Sequence, residues 1–433
     1  MSHKPSPTTP MPDAKAALVP RLRFPEFRSA IEWTFVPLNQ LATRGKRKNR
    51  DEAIDRVLTN SAEFGVVDQR DYFDKDIATQ GKLESYCVVE CGDYVYNPRI
   101  SATAPVGPIS KNNIATGVMS PLSTVFRFKD REDDFYRHYF KTTGWHAYMR
   151  QVSSTGARHD RMAIGSDDFL AMPLPISSPL EQRKIADCLS SLDELIVAQA
   201  RKVDALKTHK KGLMQQLFPG EGQTQPCLRF PEFRGAREWK EVRLGDIGRV
   251  IRGASPRPQG DPRYFGGPIP RLMVQDVTRD GKWVTPQIDS LTEEGAALSR
   301  PCTAGTLTIV CSGNVGVVSL LAVDACIHDG FLALVDIDES IAVKDFIFHS
   351  LSTLRQKLEN GATHGGVFTN LTTSVINEFE IRCPFTAEQQ RIADCLTSID
   401  DLITTATKEL DTLKTHKKGL MQQLFPAAAE VVA

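Results

Sequence analysis

Net charge is the first thing this sequence lacks, because its 53 lysine and arginine residues are balanced by 53 aspartate and glutamate residues. A protein that coats a polyanion over its whole surface carries an excess of positive charge, so this balance excludes that class but permits local basic patches. No apolar run approaches the roughly 20 residues of a membrane-spanning helix. The first residues show no signal-peptide pattern, and we therefore expect a cytoplasmic protein.

Paired cysteines and catalytic motifs are missing as well. The nine cysteines are scattered and form no C-x-x-C pair, so a zinc ribbon is not predicted, and most are expected to be small buried residues of a reduced protein. The chain contains no G-x-G-x-x-G, G-x-x-x-x-G-K-[ST], G-x-S-x-G or H-E-x-x-H motif. No close acidic cluster followed by lysine indicates metal-dependent phosphodiester cleavage. The sequence therefore predicts no catalytic residue, no metal site and no cofactor.

What the sequence does contain is a long internal repeat. THKKGLMQQLFP occupies residues 208–219 and again 415–426, so equivalent residues of the two copies differ by 207 in number. LRFPEFR at 22–28 returns at 228–234, and EQRKIADCLSSLDELI at 181–196 returns as EQQRIADCLTSIDDLI at 388–403. The stretches between these segments do not match. Matched flanks indicate a shared structural duty, and divergent middles indicate two different targets.

Each repeated C-terminal segment has the pattern of one long helix. Ser178-Pro179-Leu180-Glu181 has the form of a capping box with proline at the first helical position. In the second copy the T-x-x-Q of residues 386–389 offers a capping box that is shifted by one residue. Proline after Phe218 and Phe425 marks the stops. At 1.5 Å per residue, each segment predicts a rod of roughly 60 Å.

Apolar residues recur along both helices at alternating spacings of four and three, which is the heptad pattern of a coiled coil. An antiparallel pair would join the two units without a long crossover. Lys210 and Lys417 interrupt the apolar seam at matching positions, either as register devices or as side chains that reach back to water. The residues predicted to pair the helices are Leu189, Leu192, Ile196, Val203, Leu206, Leu213, Leu396, Ile399, Ile403, Leu410, Leu413 and Leu420.

The variable middles combine β-rich runs, such as STVFRF at 123–128, with short helical stretches. The predicted fold class is α+β: two globular mixed α/β domains joined by a long antiparallel two-helix coiled coil, with a pseudo-twofold internal repeat. The predicted divisions are a disordered tail (1–20), a first domain (21–177), a first spacer helix (178–219), a linker (220–227), a second domain (228–385), a second spacer helix (386–426) and a C-terminal tail (427–433).

Basic residues occur at the same place in both copies. RGKRKNR at 44–50 in the first copy corresponds to RVIRGASPRPQGDPR at 249–263 in the second. A single charge run is usually a solvated face. Its recurrence favours contacts with DNA phosphates, and arginine can also read guanine edges. The candidate DNA-binding residues in these two stretches are Arg44, Lys46, Arg47, Lys48, Arg50, Arg252, Arg257 and Arg263.

A second matched pair of stretches lies near the end of each middle, at 153–164 and 358–370, and each centres on Gly-Ala-x-His. Small polar residues, arginine and histidine in a loop hydrogen-bond readily to phosphates and base edges. The alternative for each histidine is that it caps its own loop backbone. These stretches add Arg158, His159, Arg161, Thr363 and His364 as candidate DNA-binding residues.

On these residues the chain resembles the specificity subunit of type I restriction-modification systems. The likeness covers about residues 22–426 and is carried by the PLEQRKIADCL and LKTHKKGLMQQLFP helix motifs and the LRFPEF tags. RGASPRPQGDPRYFGGPIPRLMVQDV (252–277) looks like the usual opening of the family's target-recognition domain, and GATHGGVFTNLTTSVINEFEIRCP (361–384) looks like its usual ending.

The resemblance implies a non-catalytic subunit in which each recognition domain reads one half of a bipartite, asymmetric site on double-stranded DNA. It implies that the paired helices set the half-site spacing and dock two methyltransferase subunits, which bind S-adenosylmethionine and methylate adenine. Restriction subunits would complete a complex that cleaves DNA using ATP. The alternative is a structural adaptor whose duplicated helices scaffold partner proteins without sequence-specific DNA reading.

Overall fold

A computed structural model describes residues 19–72, 83–154, 160–361, 363–365 and 368–426, and of residues 361, 363–365 and 368–370 it describes only the backbone. The chain divides into two compact units. Unit 1 contains residues 1–199 and 409–433, and unit 2 contains residues 200–408. Each unit therefore combines one variable domain with the first part of its own long helix and the last part of the other.

Unit 1 is built from short strands and helices. The strands are β1 (Thr34–Pro37), β2 (Ala42–Arg44), β3 (Leu58–Ser61), β4 (Gly65–Asp68), β5 (Cys87–Val89), β6 (Tyr94–Tyr96), β7 (Ile109–Lys111), β8 (Gly117–Met119), β9 (Thr124–Phe128) and β10 (Pro173–Ile176). The helices are α1 (Leu38–Leu41), α2 (Gln69–Tyr72), α3 (Asp134–Tyr139), α4 (His146–Val152), α5 (Ser166–Leu170) and the first part of α6 (Pro179–Leu217), and a 3-10 turn covers Pro25–Phe27.

An antiparallel sheet in the order β2-β9-β6-β7 organises unit 1, and β1 pairs with β10 immediately before α6. Its core is aromatic, because the buried rings of Tyr94, Phe126 and Phe135 lie in one cluster with Leu189 of α6. Phe425, at the end of the second long helix, joins the same cluster. Both long helices thus contribute apolar side chains to the core of unit 1.

Unit 2 has more strands. They are β11 (Lys240–Arg243), β12 (Arg249–Arg252), β13 (Phe265–Leu272), β14 (Trp283–Val284), β15 (Asp289–Leu291), β16 (Arg300–Cys302), β17 (Leu307–Val310), β18 (Val318–Leu321), β19 (Ala325–Ile327), β20 (Phe331–Val335), β21 (Thr363–Gly365), β22 (Phe368–Asn370) and β23 (Glu380–Cys383). The helices are α7 (Leu244–Ile247), α8 (Val274–Asp280), α9 (Glu293–Ala297), α10 (Lys344–Thr353), α11 (Arg355–Gly361), α12 (Thr373–Asn377) and α13 (Thr386–Leu424), and a 3-10 turn covers Pro231–Phe233.

Two sheets organise unit 2, in the orders β12-β20-β17-β18-β14 and β15-β13-β19-β16. The central strands β17 and β20 read LTIV and FLALV, and all but one of their residues are buried, so both faces of this sheet are covered. Leu217 and Phe218 from the end of α6 share a core cluster with Leu396 from the start of α13. The predicted α+β fold with paired long helices is confirmed.

The two long helices run antiparallel within each unit. In unit 1, Gln199 Nε2 donates to Glu409 Oε2 at 2.8 Å, and Lys417 Nζ forms an ion pair with Asp193. From Asp193 to Gln199 the residue number on α6 rises, while the number of the contacted residue on α13 falls from Lys417 to Glu409, so the two helices are antiparallel. Of the predicted pairing residues, Leu189, Val203, Leu396, Ile399 and Leu410 are buried. The other seven, Leu192, Ile196, Leu206, Leu213, Ile403, Leu413 and Leu420, are half-buried.

The two seam lysines end on aspartates of the opposing helix and not in bulk water. Lys210 Nζ lies 2.5 Å from Asp400 Oδ1 in unit 2, and this pair is the repeat equivalent of Lys417 with Asp193 in unit 1. Charges that are partly removed from water are tolerated when they are paired, and a shift in the register of the two helices would leave both charges without partners. Of the two alternatives open from the sequence, these contacts favour the register device.

A buried histidine lies beside each of these ion pairs. His138 Nε2 lies 3.0 Å from Ser190 Oγ, and His138 Nδ1 is 3.9 Å from Asp193. Burial, with Lys417 as the next cause, lowers the pKa of His138 to about 3. Burial similarly lowers the pKa of His349 in unit 2 to about 2, with Lys210 adding to the effect. Both imidazoles are therefore neutral at neutral pH.

The repeated LRFPEFR tag is fastened to the start of the long helix in its own copy. Arg23 donates to both carboxylate oxygens of Glu181, at 2.6 and 2.8 Å. In the second copy, Arg229 binds Glu388 in the same two-pronged manner, at 2.7 Å for each bond. We call each of these buried arginine–glutamate pairs a clasp.

The clasp changes the interpretation of the predicted helix caps. Ser178 Oγ does accept from the Glu181 backbone N–H at 3.3 Å, but the Glu181 carboxylate is committed to Arg23. The capping box predicted for residues 386–389 is wrong, because α13 begins at Thr386 itself. The Gln389 side chain instead donates to the carbonyl of Pro384.

Candidate nucleic-acid interface

The first basic stretch of unit 1 lies along the end of the main sheet. Gly45 N donates to Val125 O at 2.8 Å, and Arg44 Nη1 donates to Ser166 Oγ at 2.5 Å. The contact with Ser166 brings this stretch to the segment that follows the second predicted loop. Arg44, at the start of the first stretch, therefore contacts a residue two positions after the end of the second stretch.

The cations of this stretch differ in their freedom to bind a ligand. Lys48 Nζ donates to Ser85 O at 2.9 Å and lies 3.1 Å from Cys87 Sγ, so it ties the stretch to β5. Arg47 contacts Glu90 at 3.2 Å, and Arg127 holds the same carboxylate and lowers its pKa. Lys46, Arg50 and Arg44 are exposed. Lys46 and Arg50 are thus exposed to solvent, whereas Lys48 is held by the fold.

The second loop of unit 1 is described only in part. Arg158 and His159 lie outside the described residues. Arg161 forms a backbone bridge with Arg99, and its Nε lies 3.5 Å from Asp160. Arg99 is exposed and was not among the predicted residues. No spacing in the sequence marks Arg99, since only the folded chain places it beside the second loop.

In unit 2 the first basic stretch is held against the turn between β19 and β20. Gly253 N donates to Phe331 O at 3.0 Å, and Ala254 N donates to Ile327 O at 3.1 Å. A Cβ atom on Gly253 would lie 2.0 Å from the carbonyl oxygen of His328, so only glycine permits this close approach. The turn residue Asp329 thereby comes to lie beneath the stretch.

The three predicted arginines of this stretch have different surroundings. Arg252 donates from Nε and Nη2 to the Asp329 carbonyl, at 3.3 and 3.1 Å. Arg257 is exposed, and its Nη2 lies 3.7 Å from Asp329 Oδ2. Arg263 forms a two-pronged ion pair with Asp261 and lies over the ring of Tyr264. The structure therefore brings Arg252 and Arg257 together around Asp329 and places Arg263 in a separate local contact.

The second predicted loop of unit 2 reaches the same end of the sheet. Thr363 and His364 belong to β21, which pairs with β22, and their side chains lie outside the described set. Leu371, just after β22, donates its N–H to Cys311 O, and Cys311 N donates to Gly330 O, each at 2.9 Å. Gly330 follows Asp329 in the chain. The residue that follows the second predicted loop is thus connected to the 328–330 turn through Cys311.

Ser255, Arg271 and Asp329 were missed by the sequence analysis. Arg271, only 6 % exposed, donates from Nη1 to Asp289 at 2.5 Å and from Nη2 to Ser255 Oγ at 2.8 Å. The Ser255 hydroxyl in turn donates to Asp329 Oδ1 at 2.6 Å. These residues form a continuous polar chain under the basic stretch. The RGAS glycine was the one sequence signal that a close backbone approach occurs here.

Other kinds of site are not indicated in the part of the chain that the structure describes. Within it, no three histidine, cysteine, aspartate or glutamate side chains are grouped so that they could hold a metal ion. Its helices include none with the length and apolarity needed to cross a membrane.

Two units, each with a mixed α/β domain, a basic stretch and parts of both long helices, define a class of duplicated two-domain proteins. The family profile described as the type I restriction modification DNA specificity domain matches residues 236–415. The resemblance to the specificity subunits of type I restriction-modification systems, seen in the sequence, is confirmed by this match.

Individual relatives agree with this placement. The chain is 28 % identical over 276 residues to a protein named as the type I restriction enzyme MjaX specificity subunit of Methanocaldococcus jannaschii, and this match spans 60 % of each chain. It is 24 % identical over 346 residues to the MjaVIII specificity subunit of the same organism, which covers 73 % of this chain and 75 % of that one.

A solved structure supports the fold. The type I restriction-modification S subunit from M. genitalium aligns with a TM-score of 0.58 at 14 % identity, over 94 % of this chain and 99 % of that one. A second structure, described under complex assembly and conformational transition of the type I system, aligns with a TM-score of 0.52 at 18 % identity.

Proposed function

We propose that this chain is the non-catalytic DNA specificity subunit of a type I restriction-modification complex. Each recognition domain would read one half of a bipartite, asymmetric site on double-stranded DNA. The observation that carries the proposal is the basic stretch at the same point of both repeats, on domains whose sequences differ. Basic loops supply phosphate contacts and arginine supplies base contacts, so two dissimilar loop sets fit two dissimilar half-sites. A cytoplasmic location follows from this role.

The proposal is tested by methylome sequencing of the host with and without this gene. A bipartite methyladenine motif should disappear when the gene is removed. A gel shift with the co-expressed methyltransferase subunit should then show tight binding to that motif and weaker binding to scrambled DNA. Binding that ignores sequence would contradict the proposal and would favour the structural adaptor.

Replacing both Lys46 and Arg50 by alanine should weaken DNA binding and flatten its salt dependence. Both side chains are exposed, and each phosphate contact that is lost lowers the slope of log K against log salt by about 0.9. We expect the slope to fall by up to about 1.8 for the pair, measured by fluorescence anisotropy across a salt series.

The matched control for this prediction is the double replacement of Lys129 and Arg131 by alanine. These exposed cations follow Phe128, the last residue of β9. Phe128 pairs with Ala42 at the start of β2, whereas the basic stretch begins at Arg44, the last residue of β2. They remove the same charge from the same unit. If log K falls with log salt at the same slope in both double variants, the 44–50 stretch is not part of the DNA interface.

We further propose that the two long helices dock two copies of the methyltransferase subunit. The helix ends are identical at exposed positions, which internal packing does not require: Lys207, Thr208, His209 and Lys211 match Lys414, Thr415, His416 and Lys418. Exposed positions nearer the middle have diverged, as Ala198 with Thr405 shows. Identical faces on dissimilar units fit two identical partner copies, and the lysines favour an acidic partner surface.

Reversing the charges of Lys207 and Lys211 to glutamate should therefore remove one partner copy. Native mass spectrometry of the co-expressed complex is expected to show one methyltransferase subunit instead of two, and none when Lys414 and Lys418 are also reversed. Arg201→Glu, in the diverged part of α6, is the control and should keep both copies. Two retained copies in the fourfold variant would show that docking uses another surface.

The helices are also proposed to set the spacing between half-sites. Each is continuous over 39 residues, a length of roughly 60 Å at 1.5 Å per residue. Half-sites one helical turn apart are separated by about 34–36 Å on DNA. A stiff helix pair can hold a constant spacing, which a flexible linker cannot. Restriction subunits would join the same complex.

A further inference from the structure

Asp329 is an acidic residue in the middle of the proposed DNA-contacting surface of unit 2. It lies in the turn between β19 and β20, and its side chain is 52 % exposed. A carboxylate repels phosphate, so its presence in a phosphate-binding surface opposes binding to any DNA. An acidic residue that lowers the affinity for DNA of any sequence needs another role to explain its position, and the contacts of Asp329 indicate one.

Asp329 contacts three residues of the basic stretch at once. Its backbone carbonyl accepts two bonds from Arg252, and its carboxylate accepts from Ser255 at 2.6 Å while Arg257 lies 3.7 Å away. The carboxylate has a lowered pKa, caused first by the Ser255 hydroxyl. It is therefore charged at neutral pH and able to orient Ser255 and Arg257, whereas Arg252 is held by the backbone carbonyl.

The stretch depends on such outside contacts because its own composition limits internal ones. Pro256 and Pro258 have no backbone N–H, and Gly260 has a positive φ of 79° that other residues rarely adopt. On its other side the Ser255 hydroxyl is held by the buried guanidinium of Arg271. Ser255 is thus fixed between one buried group and Asp329.

We propose that Asp329 is a positioning residue of the unit 2 reading surface, whose carboxylate holds Ser255 and orients Arg257 for base contacts and so raises sequence discrimination while lowering affinity for DNA in general. This inference rests on the proposed function. The proposed role of Asp329 differs from that of the surrounding arginines, whose positive charge strengthens binding to DNA of every sequence. Discrimination and general affinity should consequently change in opposite directions when Asp329 is altered.

The test uses the full chain in complex with its methyltransferase subunit. Binding to the methylome-derived motif is compared with binding to motifs changed at one base in either half and with scrambled DNA. In Asp329→Ala we expect discrimination at the half read by unit 2 to fall about tenfold or more, since a misplaced arginine loses a base contact. Scrambled DNA should bind as well or more tightly, and discrimination at the other half should not change.

Two further variants keep the test decisive. Asp329→Asn retains an oxygen that can accept from Ser255, so it should recover part of the lost discrimination. Asp336→Ala removes an equal charge from unit 2, where Asp336 pairs with exposed Arg249 at 2.9 Å, and it should leave discrimination unchanged.

Several results would overturn the inference. They are unchanged discrimination in both Asp329 variants, an equal loss in Asp336→Ala, or weaker binding to cognate and scrambled DNA alike. A wild-type complex that shows no preference at either half would instead sink the proposed function, and the inference with it.

Discussion

Arg229→Ala is expected to lower the free energy of unfolding of unit 2 by about 3–5 kcal/mol, because it leaves a buried carboxylate without its partner. Glu388 is 1 % exposed and receives two bonds from Arg229. The same guanidinium also donates to the carbonyls of Ala236 and Arg237. One substitution therefore removes four hydrogen bonds, two of them to a buried carboxylate, which is the situation in which a buried ion pair matters most.

Arg23→Ala should have the same effect on unit 1. Arg23 binds Glu181, also 1 % exposed, and donates to the carbonyls of Ala30 and Ile31. Urea unfolding followed by hydrogen exchange can assign each loss to its unit. We expect each variant to destabilise only the unit that contains its clasp.

Arg249→Ala is the matched control for the clasp. Its ion pair with Asp336 has side chains that are 66 % and 68 % exposed, and exposed pairs contribute roughly 0–1 kcal/mol. Replacing Arg229 with methionine and Glu388 with leucine together should restore much of the stability, since the double change leaves no buried charge alone. If Arg229→Ala is no more destabilising than the control, the clasp is not a stabilising element.

The fold was predictable because its signals are periodic and local. The repeat and the heptad spacing of α6 and α13 can be read without knowing any long-range contact. The capping-box error shows the limit of that approach. Glu388 occupies the cap region, but its partner Arg229 is 159 residues away, and no local pattern reports that distance.

The candidate site was predictable only in outline. Recurrence singled out the two basic stretches, and their role in DNA binding stays a prediction. The sequence had no means of separating Lys48, which ties its stretch to β5, from exposed Lys46. Asp329 was missed because a lone aspartate in a turn looks ordinary until the fold places that turn beneath a loop more than 70 residues earlier, as the contact with Ser255 shows.

Inserting one heptad into both long helices is expected to change the spacing of the recognised half-sites by about 3 base pairs and to abolish methylation of the original motif. Seven helical residues add about 10 Å, and DNA rises about 3.4 Å per base pair. An ideal helix drifts only about 20° per heptad, so the orientation of each domain about the helix axis is nearly preserved. This expectation follows from the proposed role of the helices as a spacer.

The insertion points matter because lysine–aspartate ion pairs between α6 and α13 depend on the register of the two helices. Insertions after Gln199 and after Ala406 occupy equivalent places in the repeat and lie outside both lysine–aspartate pairs. They keep Lys417 opposite Asp193 and Lys210 opposite Asp400. Insertion into α6 alone would shift one helix against the other and separate one of these lysine–aspartate pairs, so that variant should lose DNA recognition altogether.

Methylome sequencing of hosts that carry each variant distinguishes the possibilities. The double insertion should yield a new motif with the same bases in both halves and a longer gap, because neither basic stretch has been touched. If the double insertion yields a motif with the original gap between its halves, the helices do not set the spacing. Altered bases in either half would show that the helices also shape the reading surfaces, which a pure spacer cannot do, since its only influence on the DNA is the distance it imposes.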